Sequence, residues 1–266
     1  MHPYLENRID RLQIGEAPAG DFPAHLHTHV ELVYLFGGEL AMQVAGSSVR
    51  LYEGDLCICF PGVAHAYLES NEAQTLMLVV SPDLLPDFSE QLSHFHPREA
   101  VLRREALPGD IPLCMEQIAL ENKGSEDGRV LQGYIQVILA RVLPLLSLSG
   151  REPGVTNAVY DIMKYLSTHY TEEVSLDTLS GILGVSKSYL SHTFSRHMGV
   201  NFRTCVNTLR ADRACILLRS TQRRMTDIAY ECGFETQRTF NRVFLSLYGI
   251  SPSDYRRRHR RAGKIE

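Results

Sequence analysis

LDTLSGILGVSKSYLSHTFSRHMGV (176–200) and MTDIAYECGFETQRTFNRVFLSLYGI (225–250) carry one pattern twice, and the architecture follows from that repeat. The first copy places its apolar and glycine residues at Leu176, Leu179, Ile182, Gly184, Val185, Leu190, Phe194, Gly199 and Val200. The second places them at Met225, Ile228, Gly233, Phe234, Phe240, Phe244, Gly249 and Ile250. The offset is 49 residues from Gly184 to Gly233 and 50 from Leu190 to Phe240, so the second turn carries one extra residue. Each copy reads as a short helix, a glycine turn that reverses the chain at positive φ, and a second helix anchored by its apolar positions. That is a helix-turn-helix unit, in tandem.

What remains exposed on each second helix is polar. The set is Lys187, Ser188, Ser191, His192 and Arg196 in the first copy, and Thr236, Gln237, Arg238, Asn241 and Arg242 in the second. Arg, Lys, Gln and Asn match the donor and acceptor pairs of purine edges in the major groove, while Ser and Thr suit phosphates or either base. One such pattern fits a helical bundle with a solvated face equally well; two copies with the polar set at the same place point to DNA reading. Charge agrees. The formal net charge is -4, yet residues 156–266 hold 17 Lys+Arg against 10 Asp+Glu and residues 1–155 hold 10 against 21. A basic half attracts phosphates in a salt-dependent, sequence-independent way. Arg256, Arg257, Arg258, Arg260 and Arg261 either join that attraction or form a solvated tail.

Between the copies, Asn207 to Arg219 has no Gly or Pro and reads as a strut of about 20 Å. With the width of its neighbours it would hold two recognition helices near the roughly 34 Å of one DNA turn. Asn157 to Tyr170 reads as a leading helix with Val159, Ile162, Met163 and Leu166 on one face, and Ser251-Pro252 as an N-cap followed by Pro at the first helical position. Residues 157–260 closely resemble the AraC/XylS family of bacterial transcription regulators, most clearly along MTDIAYECGFETQRTFNRVFLSLYGISPSDYR (225–256). The resemblance implies that each second helix enters the major groove of promoter DNA. It implies contacts from Ser188, Ser191 and His192 in the first unit and from Gln237, Arg238, Thr239, Asn241 and Arg242 in the second. Lys187 and Arg196 join this DNA-binding set from the exposed face. RNA polymerase is the further partner that the resemblance implies.

The amino-terminal half has another period. HLHTHVELVYLF (25–36) is rich in β-branched and aromatic residues and reads as one strand ended by Gly37-Gly38, with His25, His27, His29 and Glu31 on one face. Turns at Ala45-Gly46-Ser47, Glu53-Gly54-Asp55 and Pro61-Gly62 then punctuate short strands up to about Val80, the mark of a barrel or jelly roll. This region resembles the cupin fold. Its first motif is His25-x-His27-x3-Glu31-x6-Gly38, and its second is Gly54-x5-Phe60-x-Gly62-x2-His65, with Phe60 in place of the usual Pro. Metal-binding cupins use two His, a Glu and a later His, which the resemblance carries to His25, His27, Glu31 and His65. Two readings stand. These four line the pocket of a small-molecule effector, sugar-like or acidic, held by hydrogen bonds, or they hold a divalent transition metal. The expectation adopted is the effector pocket, with no cofactor required. Tyr34, Phe36, Phe60 and Tyr67 are either pocket lining or barrel core.

Residues 81–108, with Pro82, Pro86, Pro97 and Pro108, read as loops with short helices. Arg129 to Leu148 reads as an apolar helix through Leu131, Tyr134, Ile135, Ile138, Leu139, Val142 and Leu146, kinked at Pro144. Gln132, Gln136 and Arg141 exclude it as a membrane span; it either mediates dimerisation or packs on its own barrel. SLSGREPGVT (147–156) has linker composition. The expected fold is α+β and multidomain: a cupin-like β-barrel over 1–82, a helical connector over 83–148, a linker over 149–156 and an all-α double helix-turn-helix domain over 157–262. Six cysteines without C-x-x-C spacing argue against a disulfide framework or zinc ribbon. Cys57 and Cys59 share a strand face, either as core thiols or as a redox pair. MHPYLENRID lacks the regions of a signal peptide, so the cytoplasm is expected. The chain therefore reads as a homodimeric transcription regulator, an activator rather than an enzyme. The rivals are a cupin metalloenzyme with a helical appendage, and an interaction module that has lost DNA recognition, motivated by Ser188 and His192.

Overall fold

The computed structural model describes residues 4–6, 10–18, 20–124, 128–150, 155–198 and 201–262. Contacts divide the chain into two compact units, one built on residues 8–160 and the other on 161–266.

The strands are β1 (Tyr4–Leu5), β2 (Leu12–Gly15), β3 (Phe22–Leu26), β4 (Val30–Val44), β5 (Ser47–Tyr52), β6 (Leu56–Cys59), β7 (His65–Val80), β8 (Phe95–Pro97), β9 (Val101–Leu102) and β10 (Leu148–Gly150). Eight of them form one sheet in the order β1-β3-β7-β4-β6-β9, with β2 also on β7 and β5 also on β4; β8 and β10 pair separately. The spine is the antiparallel pair β4 and β7, in register from Val30↔Val80 to Val44↔His65. Before Gly37, even positions face outward: Val30, Leu32 and Tyr34 join one apolar cluster, while Val33 and Leu35 join the other. Register shifts at Leu35/Gly37 and Gly37/Glu39 then reverse the parity, so that Leu40, Met42 and Val44 face the same interior as Val33 and Leu35. Gly37-Gly38 is thus a bulge inside a 15-residue strand, where the sequence suggested its end. Gly38 sits at φ 80°, and a Cβ there would lie 2.3 Å from the Glu72 carbonyl oxygen, so the bulge requires glycine. A second departure is at 27–29, where the single strand expected over 25–36 is interrupted by a bend.

The sheet's outer face is covered by α2 (Asp110–Gly124) and α3 (Gly128–Val142), which follow the short α1 (Ser89–His94). Ile111, Met115 and Ile118 of α2 and Ile135, Ile138 and Val142 of α3 share one core with Leu32, Ile58 and Leu78. α2 adds to the elements legible in sequence. Exposed Leu113 and Leu120 interrupt its polar side and blur the apolar stripe that would mark it. α3 stops at Val142, and Pro144 lies in a separate turn, Leu143–Leu145, rather than kinking a longer helix. Leu148–Gly150, in the expected linker region, is a strand on β8.

The second unit is helical: α4 (Val155–His169), which begins just before the boundary, α5 (Leu176–Leu183), α6 (Lys187–Met198), α7 (Phe202–Ser220), α8 (Met225–Glu231), α9 (Gln237–Tyr248) and α10 (Pro252–Ala262). α6 starts three residues after Gly184 and α9 four after Gly233, so the extra residue is confined to the second turn. Both glycines have positive φ, 66° and 86°. The strut α7 has 19 residues, about 28 Å; Asn201 accepts from the Thr204 amide and starts it earlier than the Asn207 expected. Phe234, Phe240 and Phe244 anchor the second unit on Ala214 and Leu218 of α7. Gly199, Val200 and the side chains of Val159, Arg196, Arg260 and Arg261 lie outside the described residues.

Candidate functional site

Strand parity aims four polar side chains into the barrel interior. His25, one residue before the end of β3, lies directly opposite His65 of β7, Glu31 enters on β4 opposite Cys59 and Val79, and His27 comes from the bend between β3 and β4. Their candidate ligand atoms all lie within 4.8 Å of one another. The residues are 1%, 1%, 0% and 2% exposed for His25, His27, Glu31 and His65. Each histidine is oriented through Nδ1 by a main-chain carbonyl: Pro23 at 3.0 Å for His25, His29 at 3.1 Å for His27 and Val63 at 2.9 Å for His65. A carbonyl only accepts, so Nδ1 carries the proton in all three and Nε2 of a neutral ring presents a lone pair. His27 Nε2 and His65 Nε2 then face the Glu31 carboxylate at 3.1 and 3.4 Å. Acceptors facing acceptors call for a cation between them, either a proton or a metal ion. Burial lowers the His25 pKa to about 3, which keeps that ring neutral with a lone pair to offer. Burial alone would raise the Glu31 carboxyl; His65 and His27 outweigh it and hold it well below the carboxylate range. Three oriented imidazoles and one carboxylate suit a divalent transition metal.

His29, expected on the same face, is turned away by the bend, with Nε2 3.1 Å from the Asp10 carbonyl oxygen. Tyr67 belongs to the site: its hydroxyl donates to Glu31 at 2.6 Å. Its 36-residue separation from Glu31 left no local signal, beyond the aromatic character that also fits core. Tyr34 and Phe60 pack in the outer cluster under α2 and α3, with Phe36 against it, so these three are not interior lining. Cys57 and Cys59 are buried free thiols of the interior cluster; the hydrogen bond that the Cys59 thiol donates to Cys57, together with burial, pushes that thiol up, which suppresses thiolate chemistry.

In the helical unit, Lys187, Ser188, Ser191 and His192 of α6 are exposed, as are Arg238, Asn241 and Arg242 of α9. Gln237 and Thr239 are half-buried, and the Arg196 side chain lies outside the described residues. Lys187 Nζ is 2.6 Å from Asp177 across the first turn, an exposed pair that phosphate can displace. Thr236 has a structural duty: its hydroxyl accepts from the Thr239 amide at 3.1 Å and caps α9. The Thr239 hydroxyl in turn meets Thr236 at 3.0 Å.

Residues 179–258 match the family described as a helix-turn-helix domain, and residues 15–81 match the cupin domain family. The HTH-type transcriptional activator RhaS of Enterobacter sp. strain 638 is 26% identical over 257 residues, covering 90% of this chain and 89% of RhaS. Among solved structures, an apo form of a ToxT variant from Vibrio cholerae strain SCE256 covers 94% of this chain and 98% of its own at 13% identity, with a TM-score of 0.57. ToxT from Vibrio cholerae O395 bound to (E)-4-(8-methylnaphthalen-1-yl)but-3-enoic acid is 14% identical, covers 93% of this chain and 98% of its own, and has a TM-score of 0.54.

Proposed function

We propose that the chain is a DNA-binding transcription regulator of the AraC/XylS type, a sequence-specific activator whose cupin domain senses a ligand; the matches to the helix-turn-helix and cupin domain families and the similarity to RhaS support this reading. The observation that carries the reading is the repeated helix-turn-helix, with an exposed polar face on α6 and α9 in turn. Lys187, Ser188, Ser191, His192 and Arg196 form the reading set of the first unit, and Gln237, Arg238, Thr239, Asn241 and Arg242 that of the second. Activation follows the relative RhaS, described as an activator, and implies RNA polymerase as a partner. A small-molecule effector has a parallel in ToxT, which in one structure holds a substituted butenoic acid.

The four interior residues are sealed to 2% exposure or less, a space suited to an ion. We therefore assign them first to a divalent transition metal, which would be held by His25, His27, Glu31 and His65; when bound it supplies a fixed charge and a template joining β3, β4 and β7. A larger effector requires the barrel to open around them. The same sealing supports sensing over catalysis, since none of the four offers an exposed surface to a substrate. Apolar residues on the outer side of the α2–α3 pair support a homodimer. No helix among the described residues is long and apolar enough to cross a membrane, and the regulator is assigned to the cytoplasm.

Selection of genomic fragments by the purified full-length protein, with and without added Zn²⁺ or Ni²⁺, tests the whole reading. Enrichment of a few promoters sharing two boxes about one helical turn apart supports it. Failure to enrich any sequence, together with metal-dependent turnover of a substrate, replaces it with the cupin metalloenzyme. Arg242→Ala should weaken the selected site by about 1 to 3 kcal/mol if Arg242 reads a base.

A further inference from the structure

Where α4 ends, three elements of the helical unit meet on one turn, residues 170–172. Arg210, in the middle of α7, donates from Nε to the Tyr170 carbonyl at 2.6 Å and from its terminal nitrogen to the Glu172 carbonyl at 2.8 Å. Tyr170 immediately follows the last residue of α4, where carbonyls run out of helical partners, and a cation there also faces the negative end of the helix dipole. From the other side comes the turn between α8 and α9. Gly233, at φ 86°, lies so close to Thr171 that a Cβ would be 2.5 Å from its carbonyl oxygen. Burial lowers the Arg210 pKa and the Glu235 carboxylate opposes it, so the same turn contributes a counter-charge. Thr171, Glu172, Arg210 and Gly233 line a cleft of about 920 Å³ that is also lined by Lys187 and Ser191 of α6 and Thr239 of α9.

We propose that Arg210, through the 170–172 turn, is a positioning residue that fixes the second helix-turn-helix relative to the first and so sets the spacing between the two DNA boxes that the chain accepts. The inference rests on the reading of both units as DNA-binding. α7 alone fixes a length; it leaves rotation of α8 and α9 about its axis to side-chain packing. A planar guanidinium bonded to two carbonyls of a turn that also abuts Gly233 removes that freedom. Lysine, a single point donor on a flexible stem, cannot hold both carbonyls in the same geometry.

The test is selection from a random duplex pool by the full-length parent, Arg210→Lys, Arg210→Ala and Gly233→Ala, followed by affinity measurements on one-box and two-box duplexes. The parent should return two boxes at one spacing. The variants should return the same boxes over a spread of spacings, lose about tenfold in affinity for the parent's two-box duplex, and keep one-box affinity within about twofold. Arg210→Lys keeps the test open if Arg210→Ala or Gly233→Ala fails to fold. Parent-like spacing and affinity in the variants would overturn the proposal, as would equal losses on one-box and two-box duplexes, which mark a direct phosphate contact. A parent that enriches no two-box sequence sinks the underlying DNA reading instead.

Discussion

Glu31 is the residue on which the barrel site turns, being fully buried and facing His27, His65 and Tyr67 at once. Glu31→Gln keeps its size and an acceptor for Tyr67 but removes the charge. Calorimetric titration with Zn²⁺ or Ni²⁺ should show affinity lower by at least about 10- to 100-fold, and parent-like affinity would remove Glu31 from the ligand set. Asp212, on α7, is the second residue with a measurable signature. Burial raises its carboxyl to about 6, and the Tyr248 hydroxyl donates to it. The folded state thus holds an extra proton between about pH 4 and 6, so this contribution to stability is full below that window and lost as pH rises through it. At neutral pH the buried charge costs about 2 to 3 kcal/mol. Asp212→Asn should raise the unfolding midpoint of the helical unit at about pH 7 and leave it little changed at about pH 4. A difference independent of pH would refute the shift. The four ligand candidates were legible because their spacing is local, except for His65. Tyr67 and the three orienting carbonyls were not, since pairing β3, β4 and β7 brings them there.

At the scale of elements, the recognition helix α9 depends on its cap. Thr236→Ala should cost the helical unit about 1 kcal/mol in denaturant unfolding and weaken DNA binding by fraying the turn that carries Gln237 and Arg238. An unchanged midpoint would show that packing of Phe240 and Phe244 suffices. The sequence grouped Thr236 with the exposed polar set because a cap and a phosphate contact ask for the same hydroxyl. The Gly37-Gly38 bulge was equally ambiguous. Two glycines read as a strand end, and only the facing carbonyls of Asn71 and Glu72 show the strand continuing past them.

For the whole molecule, sensing requires that ligand and DNA affect each other. If metal loading alters operator affinity, it should do so by about 5- to 150-fold, and DNA must alter metal affinity by the same factor. Equal operator affinity with metal and with chelator would separate the site from regulation. The proposed homodimer belongs at this scale as well. Leu113 and Leu120 on α2 and Val130 and Val137 on α3 are 61%, 62%, 42% and 42% exposed, each pair two helical turns apart. Leu120→Lys with Val137→Lys should shift sedimentation from dimer to monomer while metal binding persists; an unchanged sedimentation coefficient would place the interface elsewhere.

The tandem helix-turn-helix units, their polar faces, the one-residue difference between their turns and the four interior candidates are all written in the order of residues. Helix periods, glycine positions and ligand spacings are local properties, readable within a few turns of chain. Folding in three dimensions was needed to place α2 and α3 over the outer sheet face, to exclude His29 through the bend at 27–29, to seal the cluster, and to bring Arg210 to the turn after α4. Each of these depends on which distant segments share a core, and burial and carbonyl orientation exist only once they do.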